Sequence, residues 1–204
     1  LAEQGKLKES RALLEDAVRR RVETFGANDR RTSTLLSTLA NTLAMSGDLD
    51  AAIAAHQKSL TAAEAAFGKT HPETAIIRQN LGDDFVYGLQ GARGVAELNE
   101  AVEVLKAANT EKARGVVMAM TDLGLAHLVA GQPQEALQVY ERAIAAFATD
   151  YPTHPTYAVA LLKRAQIVNE KKIRFENAEL RYDDLTVCID GDCSVLPQKE
   201  FYIL

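Results

Sequence analysis

The sequence has no tryptophan, only two cysteines, and five prolines and twelve glycines in 204 residues. Two cysteines are too few to hold a disulfide-built domain together, and no partners stand near them in a zinc-binding pattern. Cys188 and Cys193 are expected to be free thiols in a reducing, intracellular and cytoplasmic setting, with a bridge from the last helix to the tail as the alternative. No apolar run approaches the ~20 residues that a membrane span needs, and the first twenty residues are charged throughout, unlike a secretory signal. Direct membrane insertion is therefore not expected. A basic excess is also missing: 23 Lys and Arg stand against 28 Asp and Glu, a formal net charge of −5. That balance argues against nucleic acid as a partner, because nonspecific affinity for it comes from clustered cations. The run Arg19-Arg20-Arg21 points in three directions on a helix and reads as a solvated face.

What remains is a chain rich in Ala and Leu, 47% apolar and 25% charged, with few helix breakers. This composition favours an all-α fold. A 42-residue period runs through it. Gly5 and Gly47 are one period apart and Gly131 lies two periods beyond Gly47, with Leu89, beside Gly88, where the intermediate glycine is due. Ala17, Ser59, Ala101 and Ala143 form a column of small residues, accompanied by Val18, Leu60, Val102 and Ile144. Leu39, Leu81, Leu123 and Ala165 form another, and Ala52, Ala136 and Ala178 keep the same phase. Periods of this length are the signature of stacked supersecondary units.

Within a unit the apolar spacing is helical, as in Leu35, Leu36, Leu39 and Leu43, or Leu13, Leu14, Ala17, Val18 and Val22. Each unit is expected to be two antiparallel helices, A and B, joined at Gly47-Asp48 or Gly131-Gln132, where glycine accepts a left-handed backbone. The small column marks close approach of helix backbones. Between units, Phe67-Gly68-Lys69-Thr70-His71-Pro72-Glu73 reads as a helix end followed by a capping box, with Thr70 as cap. Thr153-His154-Pro155 is a related start, so His71 and His154 are expected to serve helix-start packing and not a ligand.

These residues resemble the 42-residue tetratricopeptide repeats of the kinesin light chain type. The resemblance is carried by Phe67 to Ala75 followed by Asn80-Leu81-Gly82, and by Ala130-Gly131-Gln132-Pro133-Gln134-Glu135-Ala136 with Tyr140 and Ala143. It implies an all-α, right-handed α-solenoid. A partial unit is expected at 1–25, full units at about 31–66, 72–108 and 111–149, and a degenerate last pair at 155–189, where Ile173-Arg174-Phe175 replaces the glycine turn. The tail 190–204, ending in Phe201-Tyr202-Ile203-Leu204, is expected to fold back as a cap. The start at Leu1 suggests a piece of something longer. Extra glycine at Gly88-Leu89-Gln90-Gly91 and the plain link Asn109-Thr110-Glu111 predict a different bend in the middle unit.

The resemblance further implies a non-catalytic scaffold that receives a peptide or partner helix on the concave side lined by the A helices, without a cofactor. Alternatives are a structural subunit of a large complex, held through its ends and convex face, or the docking domain of a longer regulator. The groove positions map to Ser37, Asn41, Gln79, Asn80, Asp83, Thr121, Leu125, Lys163 and Ile167, with Asn80 at the family's groove asparagine. Its counterparts Thr38, Asp122 and Arg164 differ, and the family's basic groove for acidic peptides is absent except around Lys163, Arg164 and Lys171. Chemistry lacks a constellation. Asp83-Asp84 and Asp183-Asp184 are neighbours about a hundred degrees apart on a helix, and no histidines stand at i and i+4. The glycine-rich stretch from Gly88 to Gly94 lacks the preceding strand of a phosphate loop.

Overall fold

The computed structural model describes residues 2–108, 113–168, 172–175, 178–181, 186–189 and 192–195. Eight helices follow one another: α1 (Ala2–Phe25), α2 (Arg30–Met45), α3 (Leu49–Phe67), α4 (Pro72–Tyr87), α5 (Gly91–Ala108), α6 (Arg114–Val129), α7 (Pro133–Asp150) and α8 (Pro155–Val168). Each packs on its sequence neighbours, giving an α-solenoid. In addition α4 touches α6, and α6 touches α8, across the intervening helix. Helices that meet their next-but-one neighbours form the inner layer of a curved stack. By this contact α4, α6 and α8 line the concave side, and α2 holds the matching place one period earlier.

The small-residue columns explain why the layers fit. Ser59, Ala101 and Ala143 are fully buried. At the first of these, Ser33 Oγ donates to the Ser59 carbonyl at 3.0 Å, and Ser59 Oγ donates back to the Ser33 carbonyl at 2.8 Å. This exchange satisfies two hydroxyls and two carbonyl oxygens where α2 and α3 lie closest. A second column, Ala40, Gly82 and Gly124, faces a column of large side chains, His56, Leu98 and Tyr140, all fully buried. A Cβ on Gly82 would lie 2.6 Å from Leu98 Cγ, and one on Gly124 would lie 2.7 Å from the Tyr140 ring. Elsewhere Arg78 ties three helices, reaching Glu64 on α3 at 2.6 Å and Glu97 and Glu100 on α5 at 2.7 and 2.9 Å.

Turn chemistry follows the period with two corrections. After α2, α4 and α6 the amides of Asp48, Gln90 and Gln132 close onto the carbonyls of Leu43, Phe85 and His127 at 3.0, 2.7 and 2.8 Å. The left-handed residue in these turns is Gly47 (φ 83°) or Gly131 (φ 73°), but in the middle turn it is Leu89 itself (φ 57°), not Gly88. Register of the closing hydrogen bond decides the position, so leucine accepts the strain. The cap of α4 is likewise His71 and not Thr70. Its Nδ1 accepts from the Glu73 amide at 3.1 Å while the ring stacks on Phe67 at 4.9 Å. His154 repeats the device on the Thr156 amide at 3.2 Å and on Phe147. Asp29, one period before His71, caps α2 through the amides of Arg31 and Thr32.

The expected last helix pair at 155–189 is half corrected. α8 supplies its first helix, but the second is replaced by an antiparallel sheet in the order β1 (Lys172–Phe175), β2 (Ala178–Arg181), β3 (Thr186–Ile189) and β4 (Asp192–Val195). The stretch has no glycine helix stop, and Thr186-Val187-Cys188-Ile189 is rich in the β-branched residues that favour strands. Ile189 pairs with Asp192, and the intervening sequence, Asp190-Gly191, is of the type preferred in hairpins. Cys188 is disulfide-bonded, against the free-thiol expectation, and the chain's other cysteine, Cys193, is its register partner on β4. Residues 201–204, expected as a cap, lie outside the described residues.

Leu89 gives a direct test of the turn. Leu89→Gly is expected to raise stability by about 1 kcal/mol by removing the left-handed penalty, and Gly47→Leu to lower it by a similar amount. Urea unfolding followed by circular dichroism measures both.

Candidate functional site

Position on the A helices decides which side chains meet on the concave face. Residues 37, 79, 121 and 163 form one column along α2, α4, α6 and α8, and 41, 83, 125 and 167 form a second one turn further on. Asn41 is exposed, while Ser37, Gln79, Asn80, Asp83, Leu125, Lys163 and Ile167 are half-buried. Thr121 is buried and its hydroxyl donates to the Val117 carbonyl of its own helix at 3.0 Å, so it offers little to a ligand. Leu125 packs against the central core, and Ile167 against the Tyr140 cluster. Neither presents a polar group.

The strongest chemistry gathers on α4 and α6. Gln79 Nε2 donates to Asp122 Oδ2 at 2.7 Å, bridging the two inner helices. Burial drives the Asp122 carboxyl up to about 6, with the Gln79 hydrogen bond opposing the rise. Asp83 is raised well above the ordinary carboxyl range, first by burial and then by repulsion from Asp122 and Asp84. Tyr87 is raised by burial and by the same three carboxylates. Lys163, on α8, is lowered by burial. Acid therefore concentrates on α4 and α6, with cations on the next inner helix.

Two residues of the B helices, His56 and Tyr140, adjoin this cluster. His56, from α3, places Nδ1 2.7 Å from Asp84 Oδ2 on α4, and its Nε2 lies 3.4 Å from Ser37 Oγ on α2. One period later the corresponding residues are Leu98 and Ala126, both fully buried in one apolar core. Tyr140 is the third member of the column. Its ring covers Gly124, its hydroxyl has no hydrogen-bond partner, and burial followed by the charge of Asp122 raises its phenol. The 42-residue arithmetic identifies these positions, but spacing alone does not say that their polar ends turn inward. Among the described residues no group of three His, Cys, Asp or Glu side chains is placed to hold a metal ion, and no helix is long and apolar enough to cross a membrane.

Stacked two-helix units with an inner layer of A helices define a helical-repeat protein of the scaffold class. Tetratricopeptide-repeat models match residues 1–65 and 31–91, and a second such model matches 116–147. The chain belongs to the tetratricopeptide-repeat proteins. Its fold is similar to the kinesin light chain-like, nearly identical TPR-like repeats of Podosopora anserina, with a TM-score of 0.73 at 18% identity over 82% of this chain and 80% of that one. It is also similar to BtubC (BKLC) from P. vanneervenii, at TM-score 0.73 and 18% identity over 83% of this chain and 68% of that one. No curated protein sequence matches it.

Two outcomes follow from the site's electrostatics. His56→Leu alone leaves Asp84 buried beside an apolar side chain and is expected to cost about 3–5 kcal/mol. Adding Asp84→Ala, which reproduces the Leu98 and Ala126 solution, should recover most of that loss in the same denaturant titration. Asp122 has a folded-state value of about 6, above its unfolded value, so the folded chain holds that proton more tightly. Its contribution lowers stability as pH rises between about 4 and 6 and stays unfavourable above that. Asp122→Asn should therefore match the parent near pH 4 and exceed it by on the order of 1–3 kcal/mol at pH 7, read from unfolding curves at both pH values.

Proposed function

We propose that this chain is a non-catalytic protein-binding scaffold that receives an extended peptide or a partner helix along the inner face of α2, α4, α6 and α8. This reading is supported by the contacts of α4 with α6 and of α6 with α8, helices that carry the half-buried polar side chains of Gln79, Asn80, Asp83 and Lys163, with Ser37 at the matching position of α2. Half-buried amides and carboxyls retain donors and acceptors for a partner backbone while the helices beneath them stay fixed. Asn80 contributes both a donor and an acceptor. Repeat stacking makes such a surface long, and its specificity depends on the side chains placed along it.

A second reading, a structural subunit held through an end of the stack, rests on α1. Leu13 is 67% and Phe25 59% exposed there, and Leu13, Leu14 and Ala17 line an open depression with Thr38. An apolar helix face of this kind suits a neighbouring subunit.

Affinity capture with three proteins distinguishes the two readings. Asn41→Ala with Asn80→Ala is expected to lose at least tenfold in partner recovery, whereas Leu13→Ser with Phe25→Ser retains it. The opposite pattern favours the subunit reading. Circular dichroism of each variant verifies that the helices persist.

A further inference from the structure

The inner face holds two carboxylates, Asp83 and Asp122, for which no cation is paired among the described residues. Arg78 is committed to Glu64, Glu97 and Glu100, and Asp84 is committed to His56. Asp83 is acted on by burial and by two other carboxylates, with no basic group among its influences, and Asp122 has only the neutral amide of Gln79 as a favourable neighbour. Burying carboxyls beside one another destabilises the free fold, and the repeat offers an apolar alternative one period on, where Leu125 replaces Asp83. Like charge at this site is thus a feature of its local residues and not of the repeat geometry.

A second observation lies beneath it. Tyr140 is 0% exposed, and its hydroxyl has no partner although a buried hydroxyl ordinarily finds one. The ring covers Gly124, two residues along α6 from Asp122, and feels the charge of that carboxylate. A buried hydroxyl with no partner among the described residues therefore lies within electrostatic reach of Asp122. On the far side, the half-buried Lys163 of α8 limits the acidic wall to α4 and α6.

Resting on the proposed groove function, we propose that the surface between α4 and α6 takes a basic segment of a partner protein, with an arginine or lysine head held by Asp83 and Asp122. A guanidinium or ammonium placed there supplies the missing countercharge and forms charge-assisted hydrogen bonds in a partly desolvated site, where they are strongest. The remaining donors reach the Gln79 carbonyl oxygen, whose amide nitrogen is already engaged with Asp122, and the Tyr140 oxygen directly or through a water. Binding removes the repulsion that the free chain carries, so the cost in stability becomes selectivity for positive charge.

The test uses the full chain, labelled with nitrogen-15, and three probes: a fluorescein-labelled Arg-Ser-Arg-Ser-Arg-Ser peptide, a Glu-Ser peptide of equal length, and spermine. The basic peptide is expected to shift amides of α4 and α6 and to bind at least tenfold more weakly to the Asp83→Asn, Asp122→Asn variant. Glu135→Gln, on the exposed start of α7, should leave the affinity unchanged. Because the double substitution relieves buried charge, it is expected to remain folded, which its amide spectrum reports directly. Equal affinity for parent and double variant overturns the inference, as does equal affinity for spermine and the basic peptide. If the Glu-Ser peptide shifts the same amides as strongly, the charge assignment fails while the groove reading stands. If neither peptide shifts amides of α2, α4, α6 or α8, the inference fails and the groove reading loses its support with it.

Discussion

Close approach of an A helix to its B helix governs this molecule. Ala40, Gly82 and Gly124 leave the space, and His56, Leu98 and Tyr140 fill it, each large side chain passing over a residue with little or no Cβ bulk. A single methyl added at Gly124 would meet the Tyr140 ring at 2.7 Å, too close for van der Waals contact. The contact holds the helix pair together and sets the spacing at which the next A helix is laid down. It also delivers the end of a B-helix side chain to the inner layer.

That column explains why the inner face is polar where it is. Leucine at 98 belongs with Ala126 to one apolar core, whereas histidine at 56 bonds Asp84 and tyrosine at 140 feels the charge of Asp122. Each position obeys the same geometric rule with different chemistry. A repeat protein varies its surface in this way without altering its stacking, because neighbouring units exchange only local contacts. The Gln79 bridge to Asp122 adds a cross-unit hydrogen bond on the inner side and fixes the orientation of that carboxyl.

Much of the fold was legible from the 42-residue period, since Gly47 and Gly131 mark turns and Ser59, Ala101 and Ala143 mark close contacts by their size alone. Less was legible where equivalent slots hold unlike residues. Leu89 adopts a conformation expected of glycine because the closing bond from Gln90 to Phe85 fixes the register, a constraint absent from any single-residue preference. His71 caps α4 because its ring, stacked on Phe67, aims Nδ1 at the Glu73 amide, and Thr70 lies one residue too early. Beyond α8 the phase carried by Ala178 predicts a helix, but the β-branched residues of Thr186–Ile189 favour the strands around Cys188.

The sequence by itself determined the repeat length, the two-helix unit, the inner-face columns and the small residues that let helices meet, because these depend on periodicity and side-chain volume. Tertiary structure decided the electrostatics. Asp83, Asp84 and Asp122 are ordinary acidic residues in a chain with many; the packing of α4 on α6 makes Asp83 and Asp122 mutually repulsive, and the packing of α3 on α4 makes Asp84 a partner for His56. Charge depends on distance and burial in three dimensions, and neither is encoded in the spacing of residues along one helix.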